Sequence, residues 1–169
     1  MSRESVATAR GEWTPPGAAR RRAILRGARS IAVVGASANP ARASNFVLTY
    51  LLSTSADYEV WPVTPNEDEV LGARTYPSLA ALPGPPDVVD VFRREDQLAE
   101  VAAEAAAAGA RALWLQLGLH SDEAVRVAYE AGLDVVSNRC VKIEHARFHG
   151  GLHLAGFDTG VISSKRTRG

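Results

Sequence analysis

Short apolar runs recur along the chain at 30–36 (SIAVVGA), 59–64 (EVWPVT), 87–92 (DVVDVF), 111–117 (RALWLQL) and 133–137 (LDVVS), spaced too widely for hairpins. They are rich in β-branched residues and little interrupted by polar ones, the pattern of parallel strands buried on both faces. Between them the apolar positions change to helical spacing. Residues 42–54 carry Phe46, Val47, Tyr50 and Leu51; residues 95–108 are nearly all Ala and Glu; residues 122–131 repeat Val125, Ala128 and Tyr129. Shorter helices are predicted at 19–27, with Ile24 and Leu25 as the apolar stripe, and at 78–82. Asn39-Pro40, Glu95-Asp96 and Ser121-Asp122-Glu123 supply helix starts, and Gly27, Gly109 and Gly132 supply stops. Alternating strands and helices predict an α/β, Rossmann-like three-layer fold with a five-stranded parallel sheet of order 3-2-1-4-5. Ligands of such sheets lie beyond the carboxyl ends of the strands, so loops 36–43, 65–72, 92–95 and 116–121 are the expected seat of function.

The length of 169 residues suits a single domain. It is read as a loosely ordered arm at 1–18, a domain at 19–147, and a strap with a basic tail at 148–169, the strap returning through Phe157, Val161 and Ile162. Nineteen basic residues balance nineteen acidic ones, so no overall field draws the molecule to nucleic acid or an anionic membrane. The cluster at Arg20, Arg21, Arg22, Arg26 and Arg29 has no interleaved aromatic platform for bases. No apolar run approaches the roughly 18–20 residues a membrane helix needs. The lone Cys140 excludes an internal disulfide and a thiolate zinc cage. The N-terminal stretch is Arg-rich and acid-poor like a transit peptide, but Arg outnumbers Lys throughout, and a cytoplasmic location is expected.

Candidate chemistry concentrates in residues 35–44, GASANPARAS, where a strand end meets a helix start and free backbone N–H groups converge with the helix dipole. A dinucleotide fingerprint would place glycines at 35, 37 and 40, but Ser37 and Pro40 stand at the last two, and no GKS or GKT follows. Ser37, Arg42 and Ser44 are instead placed to meet several phosphate oxygens. The turn Thr64-Pro65-Asn66 closes the next strand, and Glu67, Asp68 and Glu69 read as a solvated acidic turn. His145, His149 and His153 lie four apart, but a helix carrying all three would run through Gly150-Gly151, so no metal site is expected. Cys140 reads as a packed thiol. Asp90 lacks the acidic pair that a phospho-acceptor needs after the first strand, since Gly35-Ala36-Ser37 stand there.

GASANPARAS, VWPVTPNEDEVLG, DVVDVF, ALWLQLG and VVSNRC, in this order, resemble the stand-alone CoA-binding protein family. Its fold is similar to the N-terminal CoA-binding domain of the succinyl-CoA synthetase α-subunit. The resemblance runs from about residue 20 to about residue 147. It implies that Gly35, Ala36, Ser37, Asn39, Arg42 and Ser44 grip the nucleotide end of CoA, with Thr64, Pro65 and Asn66 bordering the adenosine. It also implies Phe92 and Arg93 at the third strand end and Gln116, Leu117 and Gly118 at the fourth. Phe92 would offer adenine an apolar face and Arg93 would neutralise phosphate. The synthetases react through a phosphorylated histidine on a second domain, and the glutamate that follows their fourth strand has no counterpart at Gln116-Leu117-Gly118. The expectation is therefore non-catalytic binding of coenzyme A or an acyl-CoA, without a metal. An NAD(P)-binding oxidoreductase and a nucleotide-responsive regulatory or assembly protein stand as alternatives, and association as a homodimer or with another protein is left open.

Overall fold

All five residues of β1 (Ser30–Val34) are buried, so this strand has to lie inside a sheet that is covered on both faces. The computed structural model describes residues 10–53 and 58–149 and shows how. In chain order, α1 (Ala18–Gly27) precedes β1, followed by α2 (Ala43–Ser53), β2 (Glu59–Val63) and a two-stranded hairpin, β3 (Glu69–Val70) with β4 (Ala73–Arg74). Then come β5 (Val88–Val91), α3 (Leu98–Ala107), β6 (Ala112–Leu115), α4 (Asp122–Glu130), β7 (Asp134–Val136) and α5 (Val141–His149). Single 3-10 turns occupy Leu79–Ala81 and Glu95–Gln97, where the sequence predicted α-helix.

The fold is α/β and Rossmann-like, with five parallel strands in the order β2-β1-β5-β6-β7. Numbered along the chain these strands run 2-1-3-4-5, which corrects the expected 3-2-1-4-5. Pro62 gives the physical reason. Its carbonyl points away from β1 and accepts from the Tyr76 N–H at 2.9 Å, so the donor it lacks is missing on the outer edge of β2. A third main strand there would find no donor at Pro62, and proline accordingly marks an edge strand. The hairpin segment covers that edge with one parallel bridge, Val63 to Tyr76, and the third main strand pairs with the free side of β1.

Ile31, Val33, Val88, Ala112, Trp114 and Val136 face α1, α2 and α5, while Ala32, Val34, Val89, Val91, Leu113, Leu115 and Val135 face α3 and α4. The other edge, β7, is held by the N-terminal segment. Arg10 donates to the carbonyls of Tyr129 and Leu133 at 2.7 and 2.8 Å, and its guanidinium lies 3.9 Å from the Tyr129 ring centre. Trp13 donates from Nε1 to the Val135 carbonyl at 3.1 Å, occupying an acceptor on the outer edge of β7. A buried ion pair, Arg21 Nε to Glu144 Oε1 at 2.7 Å, joins α1 to α5, with Arg139 and Arg147 nitrogens 3.8 and 3.9 Å from the other Glu144 oxygen. His145 packs edge-on against Tyr50 and Tyr58, and its Nδ1 is 2.8 Å from the Tyr50 hydroxyl. The His149 side chain, His153 and the expected strap through Phe157, Val161 and Ile162 lie outside the described residues.

Candidate functional site

The tips of β1, β2 and β5 are brought into direct contact at Gly35. Its φ of +90° suits glycine, and a Cβ there would lie 2.0 Å from the Phe92 carbonyl oxygen. Phe92 N–H donates to the Val34 carbonyl at 2.8 Å, while the N–H groups of Gly35 and Ala36 share the Val63 carbonyl at 3.1 and 3.3 Å. The sheet order reverses between β1 and β5, so this contact sits at the switch point where such folds bind ligands.

Beyond Gly35 the loop organises itself. Ser37 Oγ accepts from Asn39 N–H at 3.0 Å, Asn39 Oδ1 accepts from Ala41 N–H at 2.9 Å, and Asn45 Nδ2 donates to the Ser37 carbonyl at 3.0 Å. Helix α2 begins at Ala43, so Asn39-Pro40 forms a turn ahead of the helix instead of its cap and first residue. The Asn39 side chain satisfies Ala41 locally and Arg42 N–H closes the turn onto the Asn39 carbonyl. Ala38 N–H donates to Glu67 Oε2 at 3.1 Å. Glu67 was expected in a solvated turn; it is half-buried because Thr75 anchors the hairpin, its hydroxyl bonding the Glu67 carbonyl and its N–H the Asp68 carbonyl.

The remaining expected contacts divide by position. Arg42 is exposed and forms no ion pair among the described residues, whereas Ser44 is buried in the first turn of α2. Thr64 is buried and accepts from Asn66 N–H at 3.2 Å, with Pro65 and Asn66 exposed. Phe92 and Arg93 are half-buried, and Arg93 Nε donates to Gln97 at 3.1 Å. Gln116, Leu117 and Gly118 follow β6, one strand beyond β5. Gln116 is buried, with Oε1 3.4 Å from the Val141 N–H, and Leu117 is exposed. Cys140 is half-buried against the α1/α2/α5 side of the core, and its carbonyl accepts from Glu144 N–H at 3.0 Å. Among the described residues no three His, Cys, Asp or Glu side chains are grouped to hold a metal, and no helix is long and apolar enough to cross a membrane.

Sequence reasoning passed over the rim formed by the ends of β6 and β7. Ser137 Oγ lies 2.6 Å from His120 Nδ1, and His120 Nε2 lies 2.7 Å from Asp122 Oδ1. Both Ser137 and His120 line a cavity of about 400 Å³ roofed by Trp13, Pro15 and Pro16. A Ser directly after β7 and a His and an Asp in the loop and helix start that follow β6 were the available signal; the nearness of 120 to 137 needed the pairing of β6 with β7.

The profile of a protein family described as "CoA binding domain" matches residues 29–146. The chain belongs to the CoA binding domain family. An uncharacterised Bacillus subtilis protein, YneT, is 40% identical to this family member over 131 residues, covering 78% of the chain and 96% of that protein. A hypothetical protein from Pyrococcus horikoshii is 39% identical with a TM-score of 0.76, covering 83% of this chain and 99% of that one. A dinucleotide-forming acetyl-coenzyme A synthetase from Ca. Korarchaeum cryptofilum is 28% identical with a TM-score of 0.59. There the CoA binding domain chain overlaps 66% of its own length with only 26% of the synthetase.

Proposed function

We propose that this CoA binding domain protein holds coenzyme A or an acyl-CoA, with the phosphates at loop 35–42 and the pantetheine running along the strand ends toward Gln116, Leu117 and Gly118. The family match carries this reading, because residues 29–146 contain every expected contact from Gly35 to Gly118. Loop geometry supports it: Gly35 lets the backbone pass close to Phe92, and the Ala38 N–H already attracts an anion, the Glu67 carboxylate. A phosphate would compete for that N–H, with Arg42 at the lip as a cation unpaired among the described residues. At this loop the residues supply charge and hydrogen bonds, and the reading assigns them binding with no reaction. The unpaired Cys140 suits the reducing cytoplasm in which we place the protein.

A native mass spectrum of freshly purified protein, repeated with coenzyme A, acetyl-CoA and NAD in competition, tests the reading. The expected result is a mass increment equal to coenzyme A, displaced by acetyl-CoA and untouched by NAD. Retention of NAD instead would move the site to the oxidoreductase alternative, and retention of neither would favour a regulatory or assembly role.

A further inference from the structure

We infer that Ser137, His120 and Asp122 are a nucleophile, base and orienting carboxylate that cleave acyl thioesters at the rim of β6 and β7. The arrangement follows from local backbone. Ser121 caps α4 by accepting from Ala124 N–H at 3.1 Å, and its extended backbone (φ −150°, ψ 119°) turns residues 120 and 122 to the side opposite its own. His120 and Asp122 thereby meet, with Nε2 to Oδ1 at 2.7 Å. Because β7 pairs with β6, Ser137 arrives on the other side of the imidazole, its Oγ 2.6 Å from Nδ1 and 3.4 Å from the alternative acceptor, the Leu119 carbonyl. In the tautomer that carries its proton on Nε2, facing Asp122, the Nδ1 lone pair accepts from the serine, which is how an adjacent base activates a hydroxyl, with the two ring nitrogens exchanged relative to the usual serine–histidine–aspartate series.

The surroundings suit an acyl group. Trp13, Pro15, Pro16 and Val136 contribute apolar surface to the cavity of about 400 Å³ that Ser137 and His120 line, with Arg21 and Arg139 as its cations. Asn138, in the left-handed region at φ 61°, bends the chain sharply after the nucleophile, and its N–H makes no hydrogen bond among the described residues, leaving it as a donor for an oxyanion. Its side chain accepts from Gly118 N–H at 2.6 Å, joining this rim to the loop along which the proposed pantetheine runs. The thioester class therefore rests on the CoA reading, while the nucleophile itself does not.

In the reaction the Ser137 Oγ–carbon bond forms as its proton passes to His120 Nδ1. The carbon–sulfur bond then breaks, and the imidazolium returns that proton to the thiolate, releasing the CoA thiol. Water, deprotonated by the same nitrogen, adds to the acyl-serine, and breaking the ester bond frees the carboxylic acid and restores Ser137. Water and an acyl-CoA thus yield acid and CoA.

The test incubates the full chain with acetyl-CoA and hexanoyl-CoA. Released CoA is quantified chromatographically, since Cys140 would itself react with a thiol reagent, and CoA affinity is measured in parallel by calorimetry. Ser137→Ala and His120→Gln should each lower CoA release by about 100-fold or more, the scale of general-base catalysis, with CoA affinity changed less than about threefold. Asp122→Asn should cost about tenfold, because solvent screens the direct contact of its fully exposed carboxylate with the imidazole. A wild-type protein that binds CoA yet releases no more of it than Ser137→Ala overturns the inference and leaves the binding reading standing. If CoA does not bind, the binding reading fails. A burst of p-nitrophenol from p-nitrophenyl acetate that disappears in Ser137→Ala then sustains the nucleophile, and its absence removes it.

Discussion

Around the tip of β1 the chain presents backbone: glycine at φ +90°, N–H groups shared on the Val63 carbonyl, and Ala38 N–H held by a carboxylate. Around the tips of β6 and β7 it presents side chains: a serine, a histidine and an aspartate in series, beside a buried arginine–glutamate pair. Backbone N–H groups cannot titrate near neutrality, so the first region suits holding a fixed anion. Imidazole and hydroxyl groups exchange protons, so the second suits chemistry. The two regions should accordingly fail in different ways when altered.

The sharpest contrast uses one substitution at two glycines. Gly35 and Gly118 have nearly the same backbone, φ +90° and +91°, but a Cβ at Gly35 meets the Phe92 oxygen at 2.0 Å while one at Gly118 meets nothing within 4 Å. Gly118→Ala should lose about 1–2 kcal/mol, the cost of a left-handed alanine. Gly35→Ala should lose more than about 4 kcal/mol, because backbone, not a yielding side chain, opposes the methyl. Urea unfolding of both variants measures the difference. Equal losses would mean that the tips of β1 and β5 do not touch as described.

That contact also marks how far the sequence could be read. The apolar runs and the helical spacing between them were sufficient for five parallel strands, since each pattern is local. Strand order is not local, yet Pro62 within EVWPVT already carried the information that β2 is an edge. The hairpin at β3 and β4 left no apolar pattern, being two residues per strand, and is anchored by Thr75 and Tyr76 just after it. In the candidate site, the β1 loop could be proposed from sequence because its residues are consecutive. The Ser137–His120 contact was not, because it depends on the pairing of β6 with β7 across 17 residues.

Two buried carboxylates extend the comparison inward. Glu144, beside the β7 rim, has arginines on three sides; Asp90, in the strand whose tip backs Gly35, is fully buried with no partner for either oxygen among the described residues. Burial pushes the Asp90 carboxyl well above its ordinary value of 3.8. The folded protein therefore keeps a proton that the unfolded chain releases above about pH 4. This contribution to stability is complete below that pH and is progressively lost as pH rises toward the folded value. Asp90→Val should gain about 1–3 kcal/mol already at pH 4, the usual cost of an unsatisfied buried polar group, and more at pH 8, where the unfolded chain's release of the proton adds to it. Denaturation at both pH values checks this, and a variant no more stable at pH 8 than at pH 4, relative to wild type, would place a partner on Asp90.

The smallest effect belongs to Arg42, whose exposure lets solvent screen whatever it binds. If its guanidinium meets the 3′-phosphate of coenzyme A, Arg42→Ala should weaken coenzyme A by about 1 kcal/mol, near fivefold, and leave dephospho-CoA almost unchanged. Equal weakening of both would place the side chain on the pyrophosphate, beside Ser37 and Ala38. No weakening of either would leave the anion to the loop backbone alone, and the contrast between a backbone-built region and a side-chain-built one would then be complete. Calorimetry with the two ligands at two ionic strengths separates these outcomes, because a charge contact at an exposed lip fades with salt and a backbone contact in the loop fades less.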